Sequence, residues 1–105
     1  YFRYDLQTGE WRKFFAGDVH STQEVSFIPR SAIAPEGDGY LIGTASNYAD
    51  MRTELVIVDA VEMEQLARVY LPFRHTAQVH GRWYNNQELP LADSPVPPYT
   101  GRRQT

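Results

Sequence analysis

Apolar and polar positions alternate in short runs along this chain, and the runs break at glycine, proline, asparagine and aspartate. In "YFRYDLQTGEWRKFF", residues 1–15, Phe2 and Tyr4 alternate with Arg3 and Asp5, and aromatic runs flank a turn built on Thr8 and Gly9. That arrangement predicts a β-hairpin. "AGDVHSTQ" (16–23) is polar and reads as a loop. "EVSFIPR" (24–30) predicts a short strand, with Val25 and Phe27 on one face and Pro29 at its end. A Pro/Gly loop, "SAIAPEGDG", leads to a strand at 40–46, "YLIGTAS", which Gly43 can kink or bulge. "NYADMRT" is a turn.

"TELVIVDA" (53–60) is the most apolar run and predicts a central strand buried on both faces. "VEMEQL" has helical composition but is too short for a stable helix, so it predicts a single turn joining two strands. Strands follow at 67–73, "ARVYLPF", and at 77–85, "AQVHGRWYN". Residues 86–105 are Pro-rich and aperiodic, and predict an extended or disordered tail. About seven short strands with a turn signal roughly every ten residues predict an all-β fold. At about 40–50 residues per blade, a propeller reading gives roughly two blades. No strong internal repeat is visible, so a sandwich or an open barrel fits the same pattern.

Composition narrows the function. A chain of 105 residues holds one small domain. With 42% hydrophobic and 22% charged residues it is globular rather than disordered. A net charge of −3 without a basic block argues against nucleic acid as a partner. The absence of cysteine excludes disulfides and thiolate metal sites, and suits a reducing cytoplasm, the expected location. No apolar run reaches the ~18 residues of a spanning helix, and no signal peptide is visible. The chain starts without methionine, inside a predicted strand, and so reads as part of a longer polypeptide.

Three histidines are the candidate chemistry. His20 reads as a solvated loop residue, and His75 as a structural residue at a strand end. His80 has Val79 and Trp83 near it, which suggests an apolar surround, and Gly81 permits close backbone approach. A mononuclear iron or zinc site takes at least three protein ligands, so His80 alone is one corner of such a site or a core histidine. Glu24 opens an apolar strand, where a buried carboxylate needs a partner; an exposed strand-end glutamate is the plainer reading. Asp5, Glu10, Asp38 and Asp50 sit at turns. No Ser/His/Asp triad, phosphate loop or HExxH motif is present. The fourteen aromatics read as core.

"EVSFIPR", "GDGYLIGTASNYADMRTELVIVDA" and "LARVYLPFRHTAQVHGRW" together resemble the C-terminal part of the carotenoid cleavage oxygenases, in order and approximate spacing, over about residues 1–85. The family pattern is approximately E-P-x-F-V-P-R, D-D-G-Y-L, S-x-L-x-I-L-D-A, A-x-V-x-L-P-x-R and F-H-G-x-W, and "QVHGRW" looks closest to the lignostilbene-type branch. The resemblance implies blades of a seven-bladed β-propeller over residues 1–85, followed by the tail at 86–105. It implies a non-heme Fe(II) held by four histidines. The activity implied is cleavage of a carbon–carbon double bond by O2 into two carbonyl products. The substrate class is a carotenoid, apocarotenoid or stilbene.

On this resemblance His80 matches the last iron ligand. Glu24 matches a glutamate that bonds the far nitrogen of a ligating histidine. His20 and His75 match no ligand. The family's proline is Val25 here and its phenylalanine is Val79. The other three ligands, most of the substrate tunnel and any membrane docking are expected upstream of Tyr1. The isolated chain is expected to be inactive and to self-associate through strand edges that its neighbours would cover. Two other readings stand beside this one. One is a free-standing β-rich binding or scaffolding module without metal. The other is a propeller that has lost catalysis.

Overall fold

A computed structural model describes residues 1–85 and 87–89, all of them strand, turn or loop with no helix. Strands β1 (Phe2–Tyr4) and β2 (Trp11–Lys13) form the expected hairpin. Asp5 Oδ1 shapes its turn by accepting from the amides of Gln7 and Thr8, and these bonds hold the Asp5 carboxyl below its usual pKa. Four further strands, β3 (His20–Pro29), β4 (Gly39–Asn47), β5 (Arg52–Asp59) and β6 (Gln65–Tyr70), pair antiparallel in chain order. This up-and-down meander has the build of one propeller blade, with the hairpin as a two-stranded piece beside it. The all-β expectation therefore holds.

Strand β5 is interior to the sheet, as its apolar run requires. Val56 and Val58, with Ala45 of β4, are fully buried and form the core. Cross-strand register assigns the faces. Glu54 pairs with Ala45, Val56 with Gly43, and Val58 with Leu41, so these side chains share one face, termed here face A. Phe14, just beyond β2, packs on that core and fixes the hairpin over face A. Thr53, Leu55 and Ile57 project to the opposite face B.

Strand β3 changes phase halfway along. Thr22 pairs with Ala45 but Val25 pairs with Gly43, so Gln23 and Glu24 together oppose the single residue Thr44. This β-bulge inserts one residue, and an inserted residue exchanges faces for everything beyond it. Thr22 stands on face A; Glu24, two residues on, stands on face B with Ser26.

Several expectations are corrected. Residues 20–23 belong to β3 and not to a loop: His20, Ser21 and Thr22 pair with Asn47, Ser46 and Ala45 of β4, and the His20 side chain has a buried partner in Glu54. Strand β6 covers Gln65–Tyr70 rather than 67–73, so the turn after β5 is shorter than drawn. Residues 77–85 form no strand: a strand needs a ladder partner, and none of the described residues pairs with them. The aromatics are not mainly core, since Phe2, Tyr4, Trp11, Phe15 and Tyr70 are all exposed. Most of the tail expected at 86–105 lies outside the described residues.

Candidate metal centre

After β6 the chain turns back and crosses face B in an extended course held at three points. The His75 amide donates to Thr53 Oγ1 at 3.0 Å. Thr44 Oγ1 donates to Gln78 Oε1 at 3.3 Å. His80 Nδ1 lies 3.0 Å from Glu24 Oε2. The bulge thus decides the encounter of Glu24 with His80, because unbroken alternation would have put the carboxylate on face A. The sequence indicated both residues; the structure brings them together across 56 positions of chain.

The chemistry of this pair is specific. An ionised carboxylate only accepts hydrogen bonds, so Nδ1 carries the ring proton. In the neutral ring the lone pair then resides on Nε2, which is the tautomer a metal ligand needs. The His80 side chain is 87% exposed and that of Glu24 41%. Val79 is also exposed, so the apolar surround expected around His80 is absent among the described residues. Among the described residues no group of three or more histidine or acidic side chains converges there either. By its chemistry the pair fits one ligand of an iron ion with its orienting partner, and does not make a complete site by itself.

The other histidines serve the scaffold. His75 is at the first of the three anchors and its Nδ1 lies on the Thr76 carbonyl. His20 is not the solvated residue expected. Its side chain is 10% exposed, and Nε2 lies 3.1 Å from Glu54 Oε2 and 3.0 Å from Arg68 Nη1. Glu54, 1% exposed, also accepts from Arg68 Nη1 at 3.0 Å and from Asn47 Nδ2 at 2.9 Å. Arg68 Nη2 donates to the Ala16 carbonyl at 2.9 Å and ties the loop before β3 to face A. Sequence reasoning missed this network. The available signal was a carboxylate inside "TELVIVDA", since a charge in the most buried strand requires partners.

A cleft of about 270 Å³ between the hairpin and face A is lined by Phe2, Tyr4, Phe27, Leu41 and Met63, among others. It contains neither Glu24 nor His80, which face the other way.

A propeller-type all-β chain that offers a carboxylate-backed imidazole is the class these features define. The sequence model of the retinal pigment epithelial membrane protein family matches residues 1–85. Isoeugenol monooxygenase of Pseudomonas nitroreducens is 37% identical over 82 residues, which are 76% of this chain and 17% of that enzyme. Lignostilbene-alpha,beta-dioxygenase isozyme III of Sphingomonas paucimobilis is 34% identical over 91 residues, 85% of this chain and 19% of that enzyme. The crystal structure of Pseudomonas brassicacearum lignostilbene dioxygenase superposes with a TM-score of 0.73 at 41% identity, covering 77% of this chain and 17% of that one. The chain belongs to the retinal pigment epithelial membrane protein family, the carotenoid cleavage oxygenases. It spans less than a fifth of the length of these relatives.

Proposed function

We propose that residues 1–85 are C-terminal blades of a non-heme Fe(II) oxygenase that cleaves a carbon–carbon double bond. The substrate would be a carotenoid, apocarotenoid or stilbene. The overall change is balanced: one alkene and one O2 give two carbonyl compounds, each new C=O taking one oxygen atom. The observation that carries the reading is the His80–Glu24 pair, held at 3.0 Å across two segments. Names among the relatives, isoeugenol monooxygenase and lignostilbene dioxygenase, favour a phenolic alkene within that class.

In this reading His80 Nε2 ligates the ion, and Glu24 accepts from Nδ1–H. That bond fixes the tautomer, restrains ring rotation and raises the basicity of the ligating nitrogen. When bound, Fe(II) with open coordination positions supplies the means of activating O2, a spin-forbidden reactant toward organic molecules. One imidazole cannot hold iron for turnover, so activity belongs to the complete protein, whose other segments would supply the remaining ligands. The test is product analysis on the complete protein incubated aerobically with resveratrol, isoeugenol and β-apo-carotenals in turn. Paired carbonyl products from one of them are expected. No cleavage of any by an iron-loaded preparation would overturn the proposal.

A further inference from the structure

The segment that carries His80 has no ladder to hold it among the described residues, so its position depends on side chains. Glu24 restrains the imidazole itself. A second restraint acts on the backbone beside it. The Gln78 carboxamide accepts from Thr44 Oγ1 through Oε1. Its Nε2 lies where a Cβ on Gly81 would stand, only 2.3 Å from that position. The amide is therefore lodged between Thr44 and the bare backbone of Gly81, and it brackets His80 from both sides in sequence. Gly81 has no positive φ, so this packing accounts for the glycine. Thr44 is also the residue opposite the bulge that turns Glu24 onto face B. One point on β4 thus adjoins both supports of the imidazole.

We propose that Gln78 is a positioning residue for His80, its amide anchored by Thr44 and accommodated by Gly81. The role rests on the iron-ligand reading above. Replacing Thr44 by valine keeps its shape and removes the donor; Gln78→Leu removes the acceptor; Gly81→Ala forces the amide out from the other side. The displaced atom is the end of a flexible side chain, so the last variant is expected to fold.

The test measures the rate at which the iron-loaded complete protein surrenders Fe(II) to ferrozine, with thermal midpoints of the iron-free proteins as a folding control. Outer supports of metal ligands are worth about 10–100-fold in affinity, and Gln78 stands one step further out, so about 3–10-fold faster release is expected for Thr44→Val, Gln78→Leu and Gly81→Ala. Thr44→Ser, which restores the hydroxyl, is expected to release iron like the parent. Parental release rates in Thr44→Val and Gln78→Leu would overturn the proposal, as would equal loss in Thr44→Ser and Thr44→Val. A His80→Ala arm separates the two levels. If that variant retains iron normally, the ligand reading fails and this role with it. If it loses iron while the Gln78 and Thr44 variants do not, the positioning role alone fails.

Discussion

Replacing Arg68 by methionine isolates the electrostatic contribution of the guanidinium, since methionine preserves most of the stem that packs on face A. The guanidinium donates to Glu54 Oε2 at 3.0 Å and to the Ala16 carbonyl at 2.9 Å. Glu54 is 1% exposed, so water cannot take the vacated place. His20 and Asn47 remain as partners, but the carboxylate loses the one permanently positive partner it has among the described residues. Breaking a buried pair from one side costs about 3–5 kcal/mol, and the two surviving hydrogen bonds favour the low end, about 3 kcal/mol. Adding Glu54→Leu removes the stranded charge, and an apolar pair of similar volume is expected to recover about half of that loss or more. Urea unfolding of the parent, both single variants and the double variant forms a thermodynamic cycle, with an expected coupling of about 2 kcal/mol. Arg68→Met within about 0.5 kcal/mol of the parent would refute the reasoning, because such values are typical of surface positions. Strict additivity in the double variant would refute it too.

Asp59 accepts from Arg30 Nη2 at 2.7 Å, and from the amides of Glu62 and Val61 as well. These bonds, the arginine foremost, lower its carboxyl pKa to about 2. A lowered folded pKa means the stabilisation is complete above the ordinary carboxylate range and is lost as pH falls from about 4 through about 2. Arg30→Gln is therefore expected to shift acid unfolding to higher pH, and identical acid midpoints would contradict this. Gly39→Ala would place a Cβ 2.1 Å from the Ile28 carbonyl, backbone that cannot swing aside as the Gln78 amide can. It is expected to cost about 1–3 kcal/mol, read as a lowered thermal midpoint, with Gly81→Ala much milder. An unchanged midpoint in Gly39→Ala would show that the end of the β3–β4 pair yields freely.

Strands β4 and β5 were legible because alternation and apolar content are local properties, and the turns between them carry their own polar signals. The start of β3 was not. "HSTQ" is polar, and its reason for being in a strand lies at Glu54 and Arg68, far along the chain. The pattern at 77–85 is that of a strand, but pairing is a property of two segments and the second is not among the described residues. His80 and Glu24 could be named from their motifs. Their encounter could not be derived, since it depends on a one-residue bulge opposite Thr44 that strict alternation conceals. Gln78 carries no signal of its own; only the space left by Gly81 reveals what its amide does.

The most direct test of the central claim is the iron content of the complete protein beside its His80→Ala form, both purified without added chelator and assayed by mass spectrometry. The account predicts close to one iron per chain in the parent and almost none in the variant, with the two folded alike by circular dichroism. Equal iron in both, or none in a parent protein that still cleaves its alkene, would contradict it.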